Sequence, residues 1–168
     1  SRIWRYLSCP RLKSLNKTKL SILVVGASGQ LGSEIFDRQA LHSDYSFIFL
    51  KKSDLDISSY SELETYFEDS NIDVVINCAA YTKVAQAELE RDKADAANFL
   101  GVKNLATLAR ERAIKLIHIS TDSVFDGQNS RPYIESDATN PLNAYSKSKV
   151  DGEKAMLAVN PENSIIIR

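Results

Sequence analysis

The chain is poor in the residues from which disulfide frameworks, metal centres and membrane spans are built. It holds two cysteines, two histidines, one methionine and one tryptophan in 168 residues. Two distant thiols, Cys9 and Cys78, make no disulfide framework, so a reducing cytoplasm is the expected setting. Cys78 closes an apolar run and reads as a small buried hydrophobe. His42 and His118 have no companion Cys or His at ligand spacing, so no metal site is expected. His118 lies in a strand-like run and reads as a structural residue. No apolar run approaches the ~20 residues that span a bilayer, which leaves no membrane partner to expect. Acid is missing from residues 1–19, which carry six of the 21 basic residues; the rest of the chain sets 15 basic residues against 22 acidic ones. An acidic body argues against nucleic acid as the main partner.

The length fits one domain with a real core. Residues 1–19, SRIWRYLSCPRLKSLNKTK, show no clean periodicity, are broken by Pro10 and do not open on Met. They are expected to be a basic leader, disordered or not native, with a targeting peptide as the alternative. Fold reasoning therefore starts at residue 20, and residues 20–168 are read as one dinucleotide-binding domain.

What is present is an alternation of apolar runs and helical patterns. Leu20 to Val25 is a strand-like run, followed at once by Gly26-Ala27-Ser28-Gly29-Gln30-Leu31-Gly32 and a helical pattern through about Ala40. Glycines between a buried strand and a helix let the backbone approach a pyrophosphate at the free N–H groups of the helix N-terminus. The spacing is G-x-x-G-x-x-G, and it is the placement that favours a dinucleotide site over an ordinary turn. Tyr45 to Leu50 reads as the second strand. At its end, where an acidic residue would take an NAD ribose, stand Lys51 and Lys52, which suit a 2′-phosphate and so favour NADPH over NADH. The bland reading is two solvated loop lysines. Asp56 and Ile57 are placed to border the adenine.

Ser58 to Ser70 reads as an amphipathic helix capped by Ser58 or Ser59, and Ile72 to Cys78 as a strand covered on both faces. Ala79, Ala80, Tyr81 and Thr82 follow at its carboxyl end, where ligand crevices form in this architecture. Lys83 to Ala113 is strongly helical with a break near Arg91, and Lys115 to Ser120 is the next strand. Ser120-Thr121-Asp122 falls at that strand's carboxyl end. After a polar loop, Asn140 is expected to cap a helix with Pro141 at its first position, the helix ending near Asn160-Pro161. Ser164 to Ile167 begins one more strand. Strands alternating with helices indicate an α/β fold, a Rossmann-like doubly wound parallel sheet.

On the expected helix from Asn140, Tyr145 and Lys149 stand four residues apart, which puts both on one face. A phenol titrates near pH ~10 on its own; an ammonium beside it favours the phenolate and makes it a usable acid or base near neutrality. With seven tyrosines and twelve lysines, chance supplies about one such pair in every two chains of this length, so the spacing needs its context.

That context is the motif order. Gly26-x-x-Gly29-Gln30-Leu31-Gly32, Asn77-Cys78-Ala79-Ala80-Tyr81-Thr82, Ser120-Thr121-Asp122 and Tyr145-x-x-x-Lys149 resemble the extended short-chain dehydrogenase/reductase superfamily. Within it, GQLG, NCAAYT, STD-x-VF-x-G and the Pro141 to Glu153 run resemble the dTDP-4-dehydrorhamnose reductases over residues 20–168. Two departures are Ser123, where the family has Tyr, and Val84-Ala85-Gln86-Ala87-Glu88, which lacks the family's Asp. The resemblance implies NAD(P)H-dependent reduction of the 4-keto group of dTDP-4-dehydro-β-L-rhamnose to dTDP-L-rhamnose. Tyr145 would donate the proton, Lys149 would lower its pKa and hold the nicotinamide ribose, and Thr121 would bond the ketone oxygen. It further implies cofactor contacts at Gly26, Ser28, Gly29, Gln30, Leu31, Gly32, Ala79, Ala80, Tyr81, Asn98, Tyr145 and Lys149, and substrate contacts at Val84, Thr121, Asp122 and Tyr145. Mg²⁺ and a homodimer enter through the resemblance alone. The family has a C-terminal lobe that supplies much of the sugar-nucleotide pocket, and this chain is expected to be the cofactor half without it.

Two rivals stay open. A sugar-nucleotide 4,6-dehydratase or epimerase shares the fold, though a dehydratase would need a second carboxylate where Ser123 stands. A regulatory subunit of methionine adenosyltransferase also resembles this family and serves as a non-catalytic partner protein.

Overall fold

The computed structural model describes residues 19–168. Cys9 and, but for Lys19, the expected basic leader lie outside the described residues. The elements run β1 (Leu20–Val25), α1 (Gln30–Arg38), β2 (Tyr45–Leu50), α2 (Tyr60–Glu68), β3 (Val74–Asn77), α3 (Val84–Ala87) and α4 (Arg91–Asp95). A π-helical turn (Ala96–Leu100), α5 (Gly101–Glu111), β4 (Lys115–Ile119), α6 (Ala144–Val159) and β5 (Ser164–Ile167) follow. All five strands are parallel, in the order β2-β1-β3-β4-β5. The chain leaves β1 in one direction and returns past it to β3, so the carboxyl ends of β1 and β3 flank the point where strand order reverses. Ligands bind at that point in open α/β sheets.

Side-chain alternation assigns the two faces of the sheet. Leu23, Val25, Val75 and Leu116 point to one face and join Leu63 and Phe67 of α2, Leu105 and Leu108 of α5, and Met156 of α6 in one continuous core. Each of these large side chains contributes about 1.5–3 kcal/mol by leaving water. The opposite face carries Ile22, Phe47, Phe49, Ile76, Ile165 and Ile167. There α1 covers β1 and β2, with Phe36 edge-on to Phe49 at 5.1 Å between ring centres. An apolar groove of about 660 Å³ lies beside it, lined by Leu31, Ile35, Ile22, Phe47 and Ile76. The doubly wound reading holds, with unequal layers: among the described residues three long helices stand on one face and one on the other. That inequality explains why β3 is not covered on both sides, since Val74 and Ile76 are half-buried while Val75 and Asn77 are buried.

Other expectations shift in place. The long helical stretch breaks between α3 and α4, near Arg91 as expected, but also carries the π-helical turn at Ala96–Leu100. Of the two candidate caps for α2, Ser59 accepts from the Glu62 amide. Asn140 does not cap α6. Its side chain donates to Asp126 at 2.8 Å and its N–H to the Val124 carbonyl at 2.9 Å, so both groups are committed to the preceding loop. Asn143 takes the capping place instead, its side-chain oxygen accepting from the Ser146 N–H at 2.8 Å. Pro141 then lies ahead of the helix.

The π-helical turn and α6 meet backbone to backbone. A Cβ at Gly152 would drive into the Asn98 carbonyl, closer than real Cβ atoms approach. Gly152→Ala is expected to lower stability by roughly 1–3 kcal/mol. It should reduce the urea midpoint at an unchanged slope. An unmoved midpoint would show that the two segments are not in contact.

Candidate functional site

The first part of the site is the bend after β1. Gly26 takes φ of +77°, and a Cβ there would strike the Ala79 amide and Cα. The ends of β1 and β3 therefore run past each other as bare backbone. Gly29 precedes α1 in extended conformation with no side-chain cap, and the first turn of α1 holds no acid. Uncapped amides there are a ready anion site. A cleft of about 210 Å³ opens against this bend, lined by Gly26, Ser28, Gly29, Ala79 and Ala80 on one side and Lys52, Asp56 and Ile57 on the other. Bare backbone, free amides and a cationic rim fit a dinucleotide.

Lys52 lies at that rim with its ammonium 3.4 Å from Asp56. Burial pushes the Asp56 carboxyl up, but the Ser58 hydroxyl and amide, and the Lys52 charge, together hold it below the usual range. Cys78 also faces the cleft. It is half-buried, not fully buried as its apolar neighbours suggest, and burial pushes its thiol up to about 11.

The second part lies at the carboxyl end of β4. Lys149 comes in from α6 with 1% of its surface exposed. Its Nζ donates to the Ile119 carbonyl at 2.7 Å and stands 3.3 Å from His118 Nε2. Burial brings its pKa down to about 8, against the pull of the Glu153 carboxylate. Tyr145, one turn earlier on the same helix face, is half-buried. Thr121 lies two residues beyond the end of β4, its hydroxyl accepting from the Ser123 N–H at 3.2 Å. Glu153 is held by Ser120 and by Arg168 at 2.7 Å. Glu88 braces the start of α6, accepting from the Ala144 N–H at 2.8 Å; that amide, with Arg91, holds its carboxyl below the usual range.

The structure thus gathers Gly26, Ser28, Gly29, Lys52, Asp56, Ile57, Ala79 and Ala80 around one cleft; Lys149 is bonded at the neighbouring strand end, with Thr121 two residues beyond that strand and Tyr145 one turn earlier on α6. Gln30, Leu31 and Gly32 form the first turn of α1, directly after Gly29 at the edge of the cleft. Lys51 is exposed and its N–H is taken by Asp54. Asn98 is fully buried and braces the wall from behind, accepting from the Tyr81 N–H at 2.8 Å and donating to the Tyr81 carbonyl and the Ser148 hydroxyl. Tyr81 turns its hydroxyl to Glu90, whose hydrogen bond pushes the phenol up to about 12. Val84 and Asp122 are exposed. Sequence reasoning left His118 outside the site; only its even-numbered place in β4, in register with Asn77, could have signalled which face it joins. Among the described residues no cluster of His, Cys, Asp and Glu could hold a metal ion, so Mg²⁺ finds no support. No helix of the described residues is long and apolar enough to cross a membrane.

The family model for the RmlD substrate binding domain matches residues 20–168. A dTDP-4-dehydrorhamnose reductase of Aggregatibacter actinomycetemcomitans is 40% identical over 147 residues, which cover 88% of this chain and 50% of that protein. A crystal structure of such a reductase from Clostridium acetobutylicum superimposes with a TM-score of 0.84 at 40% identity, over 89% of this chain and 52% of that one. The Bacillus anthracis reductase, solved in complex with NADP, gives 0.85 at 35% identity, over 89% and 53%. The chain spans about half the length of the relatives it matches.

His118 ties this site to stability. Burial, and then the Lys149 charge, push its pKa from 6.5 down to about 3. Between those values the unfolded chain holds a proton that the native chain does not. Stability should therefore be full above about pH 6.5 and fall as pH drops toward 3, by at most about 1.4 kcal/mol per unit. Denaturant midpoints of the wild type and His118→Phe, compared from about pH 7.5 to 5 where most carboxylates stay ionised, should show a steeper decline in the wild type. Equal declines would contradict a neutral buried His118.

Proposed function

The chain belongs to the family of RmlD substrate binding domains, and on that premise we propose that it is the cofactor-holding and proton-donating part of an NADPH-dependent dTDP-4-dehydrorhamnose reductase. The observation that carries the proposal is the Lys149 hydrogen bond to the Ile119 carbonyl. It seats Lys149 at the carboxyl end of β4, at the same sheet end as the Gly26–Gly29 bend, and this supports reading Tyr145, one turn earlier, and Thr121, two residues after the strand, as its partners.

The dinucleotide, when bound, supplies the hydride. The backbone at Gly26, Gly29 and Ala79 leaves room for its pyrophosphate, and α1 offers its uncapped amides. Lys52 at the rim takes the 2′-phosphate, a reading supported by the relative solved with NADP. As charge develops on the ketone oxygen of the sugar nucleotide, Thr121 donates a hydrogen bond to it and Tyr145 donates the proton. Lys149, one turn from Tyr145, supplies the cation that makes the phenol a competent acid. Val84 and Asp122 border the sugar from the exposed side. A cytoplasmic setting, where sugar nucleotides are made, goes with this reading.

Tyr145→Phe tests it. In the full-length protein, removing the proton donor should lower the rate of NADPH oxidation by dTDP-4-dehydrorhamnose by roughly 10²–10⁴-fold. NADPH affinity, followed by nicotinamide fluorescence, should stay within about twofold, since the phenol hydroxyl is spent on the transition state and not on ground-state binding. Joint loss of binding and turnover would mark Tyr145 as a structural residue and count against the proposal.

A further inference from the structure

Three polar side chains with almost no exposed surface meet beneath the site: Asn77 from β3, His118 from β4 and Lys149 from α6. The chemistry above uses only the lysine. One backbone group fixes the donor and acceptor roles of the other two. The Ala79 N–H can only donate, and it lies 3.0 Å from the Asn77 side-chain oxygen. The Asn77 amide is thereby oriented, and its NH₂, also donor only, faces His118 Nδ1 at 3.1 Å. Nδ1 must accept, so the neutral ring carries its proton on Nε2. That Nε2 lies 3.3 Å from the Lys149 Nζ. A free amine satisfies both neighbours, accepting from Nε2–H and donating to Ile119. An ammonium has only protons to offer, and meets Nε2–H donor to donor.

We propose that Asn77 and His118 are a positioning couple for Lys149: the proton they fix on Nε2 opposes the charged form, so that the lysine, a cation while it acts on Tyr145, gives up its proton readily, while its bond to Ile119 holds it against β4. The couple rests on the reductase reading for its use. A lysine balanced between amine and ammonium near neutrality can return a proton to Tyr145 after the phenol has given its own away, which a permanently charged lysine does poorly. The ionisable groups around the amine are His118 from β4, Tyr145 and Glu153 on its own helix, and Arg168 beyond β5, which is paired with Glu153. Glu88, Arg91 and Asp95 of the α3–α4 region border the outer side of α6, with Lys147 and Asp151. None of these replaces Nε2–H as the neighbour that opposes the charged form.

The test reads protons, not turnover. Long-range ¹⁵N correlation on the unmutated chain reports which ring nitrogen of His118 is protonated, and should show Nε2–H. Titration of ¹³Cε-lysine resonances, with Lys149 assigned by its loss in Lys149→Arg, should then move upward in His118→Phe by about half a unit or more, because the opposing N–H is gone. Asn77→Asp, whose carboxylate would draw the ring proton to Nδ1 and leave Nε2 as an acceptor, should move it the same way. An Nδ1–H ring, or a Lys149 midpoint that falls or stays fixed in His118→Phe, would overturn the proposal. Should a variant fail to fold, the wild-type tautomer decides alone. Because no step needs substrate, a failed reductase reading and a failed couple give different results.

Discussion

A lysine with 1% of its surface exposed has to be bonded inside the protein, and Lys149 is bonded to the last carbonyl of β4. Stripping an ammonium of water costs several kcal/mol, so the site lowers that cost by moving the group toward its neutral form and giving it two partners. The consequence reaches beyond the lysine. A helix anchored at that point cannot slide along the sheet, and Tyr145, Glu153 and Gly152 take their places from the same anchor. Gly152 lets α6 lie directly on the Asn98 carbonyl, and Asn98 in turn grips both backbone groups of Tyr81. The wall of the cleft is thus held from behind by a chain of buried amides that runs from α6 to the loop after β3.

The sheet supplies the other half of the arrangement. Parallel strands put every carboxyl end on one edge, and the reversal of strand order between β1 and β3 opens that edge at one place. Gly26 makes the opening usable, because any side chain there would collide with Ala79. The cleft and the end of β4 where Lys149 is bonded are therefore neighbours for reasons of topology, before any side chain is considered. The two faces of the sheet are not alike: the one that holds α2, α5 and α6 carries the core and the buried polar network, while α1 stands on the other beside an apolar groove.

Much of this was legible in the order of residues. The Leu20–Val25 run, the glycine bend and the helix after it are local features, and local sequence decides them. The same holds for β2, β5 and the helix that carries Tyr145 and Lys149. What was hidden depends on partners distant in sequence. Asn140 and Asn143 are equally good caps by type, and only the claim of Asp126 on Asn140 separates them. Lys51 and Lys52 looked alike by type; both are exposed, and only the turn after β2 puts Lys52 at the rim of the cleft, paired with Asp56. Asn98 read as a ligand contact; that its side chain also braces Tyr81 and Ser148 was hidden, because those partners stand 17 and 50 residues away. His118 read as structural, since nothing near it in sequence says that Asn77 and Lys149 will be its neighbours.

The claim on which the account turns is that the bend after β1 and the end of β3 form one dinucleotide site. Backbone ¹⁵N–¹H spectra of the chain, recorded with increasing NADP⁺, test it without reference to sugar chemistry. The account predicts that the amides of Gly26, Gly29, Ala79 and Ala80 shift together and saturate with one dissociation constant. Saturable shifts confined to the loop around Asp126 and Tyr133, with the glycine bend unmoved, would contradict it.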